Sequence, residues 1–174
     1  MKKKLYFPVT KEMIDSLEIN DEILISGKIF CGRDAVLPKI TKLIEEGKIE
    51  ESGINLDGSL IFHTAVSRAG VGPTSSNKKE IEESIPCLSS AGVKMHLGKG
   101  ALNPETVEKL KEYGSVYAVI PPVTALLGDR TISQRLVAFP ELGMEALYEL
   151  TVEDFPAVIA AAQGKSIYDS NESK

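Results

Sequence analysis

Two adjoining stretches decide the fold class: Ser59-Leu60-Ile61-Phe62-His63-Thr64-Ala65-Val66, then Gly70-Val71-Gly72-Pro73-Thr74-Ser75-Ser76-Asn77-Lys78-Lys79-Glu80. The first reads as a buried strand, a short apolar run with β-branched residues. The second reads as a loop, with two glycines and a proline punctuating the backbone and a helix expected from Lys79 toward Leu88. Strand, glycine-rich loop and helix in succession point to an α/β architecture. The loop also suits an anion: glycine admits a ligand close to backbone N–H groups, hydroxyls add donors, and a helix N-terminus offers unpaired N–H groups with a favourable dipole. The same residues also read as a surface turn, with Ser75 or Ser76 as N-cap and Lys78 and Lys79 solvated.

Working outward, Thr10 to Leu17 suggests a short helical turn, and Glu22 to Phe30 a strand pair or one strand bent at Gly27. Cys31-Gly32-Arg33-Asp34-Ala35 then hands over to a helix whose apolar face carries Ile40, Leu43 and Ile44. Downstream, Ala91 to Leu97 is a strand ending in Gly98-Lys99-Gly100, and Asn103-Pro104 opens a helix that runs to about Tyr113-Gly114. Val116 to Ile120 is a strand stopped by Pro121-Pro122. Thr124 to Leu127 suggests a turn of helix, Arg135 to Phe139 a strand, Glu141 to Leu147 a helix or turn, Tyr148 to Val152 a strand, and Phe155 to Ala161 a short closing segment. The polar tail after Tyr168 is expected to fray. With no internal repeat or linker, a single layered α/β domain over residues 1–174 is expected, with Arg33, the Gly70 to Lys78 loop and Lys99 forming a small-anion site at strand ends. His63, within its strand, reads as a structural core residue.

Composition narrows the function classes. The 174 residues are 43% hydrophobic, enough for one sizeable core, and the net charge of -5 argues against nucleic acid as a partner. No apolar run approaches a membrane span, and the basic start is followed by polar residues rather than a signal-peptide core, so a cytoplasmic protein is expected. Cys31 and Cys87 are distant singletons and offer neither a disulfide framework nor a metal-binding pair. Two histidines make an all-protein zinc site unexpected.

Five motifs in order carry a family resemblance: Gly32-Arg33-Asp34-Ala35, Gly72-Pro73-Thr74-Ser75-Ser76, Gly98-Lys99-Gly100, Glu141-Leu142-Gly143-Met144-Glu145-Ala146, and Asp154-Phe155-Pro156-Ala157. In order and spacing they resemble the β subunit of class I fumarate hydratases and L(+)-tartrate dehydratases, a unit that also forms the C-terminal domain of the single-chain enzymes. The likeness covers nearly the whole chain. It implies a swivelling β/β/α domain closing over a separate α subunit, which holds a 4Fe-4S cluster through three cysteines; this chain alone would bind no metal. It further implies a hetero-oligomer acting on a small dicarboxylate. By resemblance, Thr74 falls on the threonine that abstracts the substrate proton, and Arg33 and Lys99 fall on substrate-binding positions, with Gly72, Ser75 and Lys78 beside them in the loop.

Two positions depart from the family pattern. Four residues beyond the first threonine the family usually has arginine, then Met-Asp; here stand Lys78 and Lys79-Glu80. Arginine grips a carboxylate through two parallel hydrogen bonds, whereas lysine is a point charge on a flexible stem. After Arg33-Asp34-Ala35 the family commonly has Ala-His, and this chain has Val36-Leu37. The departures suggest altered substrate choice or a divergent, non-catalytic anion-binding or regulatory paralogue. A small subunit of another aconitase-like dehydratase is the third reading.

Overall fold

The computed structural model of the chain describes residues 2–67, 70–74, 78–120 and 131–167. The helical turn expected at Thr124 to Leu127 and the frayed tail expected after Tyr168 lie outside the described residues. The elements in order are β1 (Lys3–Phe7), α1 (Lys11–Asp15), β2 (Glu22–Cys31), α2 (Leu37–Glu45), β3 (Leu60–Phe62), β4 (Thr64–Ser67), β5 (Gly70–Thr74) and α3 (Lys78–Ser90). Then follow β6 (Met95–Gly98), α4 (Pro104–Tyr113), β7 (Val116–Val119), β8 (Thr131–Ala138), a 3-10 turn (Pro140–Glu145), β9 (Leu147–Ala162) and β10 (Lys165–Ser166). The chain is α/β, as its pattern indicates.

The main sheet closes on itself. Strand β2 pairs in parallel with β3, β3 with β6, and β6 with β7; β9 then pairs antiparallel with β7 and, along its other edge, with β2. Strand β1 adds in parallel to the first half of β2, and β8 pairs with β9. Alternation in β2 sends Ile23, Ile25, Ile29 and Cys31 into the ring, where they meet Phe62, Leu97, Val152, Phe155 and Ile159 in one buried cluster. Phe62 and Phe155 cross it edge to face, with centroids 5.8 Å apart, tying the β3 wall to the β9 wall. Outside the ring, Leu37 and Ile40 of α2 pack with Ile61 and Leu88, while Val107 and Leu110 of α4 pack with Tyr117 and Ile85.

Gly27 makes the closure sterically feasible. It lies at a register shift between β2 and β9, with φ of 100°, and a Cβ there would stand 2.4 Å from the carbonyl oxygen of Phe7. Across the shift β9 turns at Asp154, whose backbone N–H donates to Ser26 Oγ at 3.0 Å. The bent-strand reading of Glu22 to Phe30 is therefore the correct one of its two alternatives.

Three boundaries differ from the sequence reading. The strand expected from Ser59 to Val66 breaks at His63 into β3 and β4, because the chain leaves the main sheet there to form a separate antiparallel hairpin with β5. Gly70 to Thr74, read as loop, is the second strand of that hairpin; Pro73 is tolerated because a two-stranded ladder leaves an edge where its missing N–H costs nothing. Tyr148 to Val152 and Phe155 to Ala161 are one 16-residue strand, since partners on both edges carry β9 through Asp154 and Pro156. At α4, Asn103 is the N-cap as expected but makes no side-chain cap bond. Glu82 of α3 ties the helix start to its neighbour, accepting hydrogen bonds from the Asn103 N–H and from Thr106 Oγ1.

Candidate functional site

Because β2, β3, β6 and β7 are parallel, their carboxyl ends meet at one edge of the ring, the place where open α/β sheets collect ligands. Arg33 leaves β2 there, Thr64 follows β3, and Lys99 follows β6. Two strand spacings separate the ends of β2 and β6, about 10 Å. That span suits two cations gripping opposite ends of a small dianion.

Arg33 is fixed by its backbone. The N–H of Gly32 donates to the Phe62 carbonyl at 3.0 Å, and the Arg33 carbonyl accepts from Val36 and Leu37 at the entrance to α2. A Cβ on Gly32 would stand 2.6 Å from Val36 Cγ1, so any larger residue would force the buried Val36 side chain aside. The guanidinium is half-buried, and its Nε lies 3.2 Å from Glu145 Oε1 at the end of the 3-10 turn. Glu145 belongs to a motif that carried the resemblance, yet it was not singled out as a site residue. Its pairing with Arg33 is a tertiary contact with no local signal.

The β4–β5 hairpin brings Thr74 back toward the same edge. Thr64 and Thr74 are partners in its ladder, so the backbone of Thr74 stands beside the residue that leaves β3. Gly72 lies within β5, and Lys78 is the first residue of α3, which follows the hairpin. Ser75 lies outside the described residues. Strand β4 also packs against the 3-10 turn that carries Glu145. Lys99 is exposed in the bend after β6. Backbone topology places Arg33, Thr74 and Lys99 at or beside the carboxyl ends of β2, β3 and β6, while Gly72 lies within the hairpin and Lys78 opens α3. Leu37 is different: it is 3% exposed and packs in the core beneath α2, so where the family pattern has histidine this chain has an apolar anchor.

Behind the edge lies a polar chain that sequence reasoning reduced to a single structural histidine. His63 and His96 are both fully buried, with His63 Nε2 3.2 Å from His96 Nδ1, and His96 Nε2 is 2.9 Å from Ser89 Oγ. Among the described residues His63 Nδ1 has no hydrogen-bond partner. Burial pushes the His63 imidazole down to about 4 despite the opposing pull of the Asp34 carboxylate, and burial plus its histidine neighbour pushes His96 down as well. Both rings are neutral at pH 7. The signal was present in the strand pattern: two histidines near the ends of consecutive parallel strands are brought together by the pairing of β3 with β6.

Among the described residues no group of three His, Cys, Asp or Glu side chains is arranged to hold an ion. Burial raises the thiol pKa of both Cys31 and Cys87, opposite to what a thiolate ligand needs. The cavity lined by Lys28, Ile54, Ser59, Arg135 and Glu149 contains none of the predicted site residues. No helix among the described residues is long and apolar enough to cross a membrane.

Comparison with known proteins gives a family match over residues 2–171, to the model described as Fumarase C-terminus. The chain is 28% identical to a Methanocaldococcus jannaschii protein whose name assigns it to L(+)-tartrate dehydratase subunit beta, across 95% of this chain and 91% of the relative. It is 28% identical to the L(+)-tartrate dehydratase subunit beta of Shigella sonnei, across 92% and 83%. It is 30% identical to the anaerobic class I fumarate hydratase of Escherichia coli, across 86% of this chain but 29% of that enzyme. The chain therefore spans most of the tartrate dehydratase subunits and under a third of this fumarate hydratase.

Proposed function

This chain belongs to the Fumarase C-terminus family, and on that premise we propose that it is the β subunit of a hydro-lyase that reversibly hydrates a C4 dicarboxylate. Fumarate hydration and tartrate dehydration are the leading reactions. The observation that carries the reading is the placement of Arg33, Thr74 and Lys99 at one strand edge in a chain matched nearly end to end.

Removing a proton from carbon next to a carboxylate drives negative charge onto that carboxylate as the C–H bond breaks. Fixed cations in a closed site stabilise the charge as it develops. Arg33, oriented by Glu145, takes one carboxylate, and Lys99 takes the other end of the substrate; Gly72 of β5 and Ser75 supply further donors. Thr74 takes the substrate proton as an alkoxide, its own proton having passed to solvent beforehand, and returns to the neutral hydroxyl; nearby cations are needed because a threonine hydroxyl ionises far above neutral pH. Lys78 adds charge at the start of α3.

A 4Fe-4S cluster would supply Lewis-acid chemistry at the substrate hydroxyl. The residues of this chain do not fit it, since the whole sequence contains two cysteines against three cluster thiolates. The cluster is accordingly assigned to an α subunit over which this domain swivels shut, and the chain alone is expected to be inactive.

Anaerobic co-expression with a candidate α subunit tests the reading, with hydration of fumarate and mesaconate and dehydration of malate and tartrate as assays. Turnover requiring both chains supports it. A cluster-bearing complex inert toward all four would support the second reading, a divergent anion-binding subunit, which is favoured by the burial of Leu37 in the core.

Lys78→Arg restores the bidentate group of the family pattern. It is expected to shift the ratio of kcat/KM values between two dicarboxylates by about tenfold, the scale of one charge-assisted contact. Unchanged ratios across the four substrates would show that position 78 does not set specificity.

A further inference from the structure

We propose that Tyr117 is a positioning residue for Lys99, its phenol forming the seat on which the Gly98-Lys99-Gly100 turn is built. The proposal rests on the reading that Lys99 contacts substrate. Tyr117 lies on β7 beside His96 of β6, and its side chain is 1% exposed. Its ring packs with Ile85, Leu102, Val107 and Leu110 under α4. Its hydroxyl donates to the carbonyl oxygen of Gly100 at 3.1 Å, one residue beyond Lys99.

The two glycines that flank Lys99 have different physical reasons. A Cβ on Gly98 would stand 3.2 Å from the Tyr117 hydroxyl oxygen and 3.5 Å from Cε1, so the first glycine lets the backbone lie directly on the phenol. Gly100 has nothing within 4 Å of a Cβ position, but its φ of 83° favours glycine. One glycine provides contact with the tyrosine, and the other provides the reversal that turns its carbonyl to the hydroxyl. Lys99 projects between them into solvent on a stem with four rotatable bonds. Since the stem supplies no fixed direction, the backbone must supply it, and the Tyr117 hydroxyl anchors that backbone. A phenylalanine would fill the same apolar space; the hydroxyl is the part that the turn uses.

The test is a double-mutant cycle in the reconstituted two-chain enzyme. Lys99→Ala is expected to lower kcat/KM by roughly one to two decades, the scale of a lost charge-assisted contact. Tyr117→Phe is expected to lower kcat by roughly three- to tenfold, with a smaller change in KM, through loss of one hydrogen bond. In the Lys99→Ala background the tyrosine substitution should add nothing. Gly98→Ala, which pushes the same turn off the ring at a position without positive φ, should behave alike and provides a second variant if Tyr117→Phe assembles poorly. A purely structural tyrosine would give equal losses in both backgrounds. Near-wild-type turnover in Lys99→Ala would defeat the reading on which the proposal stands. A costly Lys99→Ala combined with a silent or additive Tyr117→Phe would overturn the proposal alone.

Discussion

Gly27→Ala is expected to lower the stability of the chain by about 3–4 kcal/mol, placing it among the most damaging small substitutions. Two costs add. At φ of 100° an alanine leaves its allowed backbone regions, and its Cβ would have to stand 2.4 Å from the Phe7 carbonyl oxygen, a backbone atom that cannot rotate aside. Relief would require β1 to leave β2, whose ladder runs from Lys3 opposite Ile23 to Phe7 opposite Gly27. Gly47→Ala is the control, with φ of 69° and no atom within 4 Å of the added carbon, and should cost only about 1 kcal/mol. Urea unfolding of the two variants gives the comparison, with the midpoint shifting at constant slope. Equal losses would mean that the β1–β2 ladder yields to the methyl group and that ring closure does not depend on Gly27.

The same residue shows what the sequence makes legible. A glycine interrupting β-branched alternation in Ile23 to Phe30 marks a bend wherever the strand ends up, since its signal is local steric freedom. Helix α4 is legible for the same reason: Pro104 suits the first turn, and Gly114 closes the helix with φ of 70°. What escaped the sequence reading was set by strand pairing, near in sequence for the hairpin and far for β9. Gly70 to Thr74 is a strand because Thr64 to Ser67 pairs with it, and β9 runs through Asp154 and Pro156 because β2 and β7 hold its two edges. At the candidate site, Arg33 and Lys99 could be placed at strand ends by pattern alone. Glu145 and Tyr117 could not, because each reaches the edge through tertiary packing. Leu37 was read as a departure near the site, and only its burial shows that the position now serves the core.

Acidification from pH 7.5 to 4.5 is expected to cost several kcal/mol of stability through the buried histidine pair. His63 has its folded-state pKa pushed down to about 4 from an ordinary 6.5, so the folded chain prefers the neutral ring. Above pH 6.5 both folded and unfolded states hold it neutral and stability is full. Between 6.5 and 4 the unfolded chain binds a proton that the folded chain refuses, and stability falls with falling pH. The loss from His63 alone is on the order of 1 kcal/mol by pH 5.5 and about 3 kcal/mol by pH 4. His96, shifted in the same direction, adds to it. Asp21 is shifted down by the Glu18 N–H and by Lys3, so its contribution holds above 3.8 and is lost only below that, outside the histidine window. Urea midpoints at pH 7.5, 5.5 and 4.5, with imidazole nitrogen spectra of the folded chain, check the sign. A flat midpoint together with protonated rings at pH 5.5 would mean that the pair is solvated and carries charge. Neutral rings have a consequence for the site as well. With His63 and His96 uncharged behind the strand ends, the cations of the proposed site at pH 7 are Arg33, Lys99 and Lys78 at the start of α3.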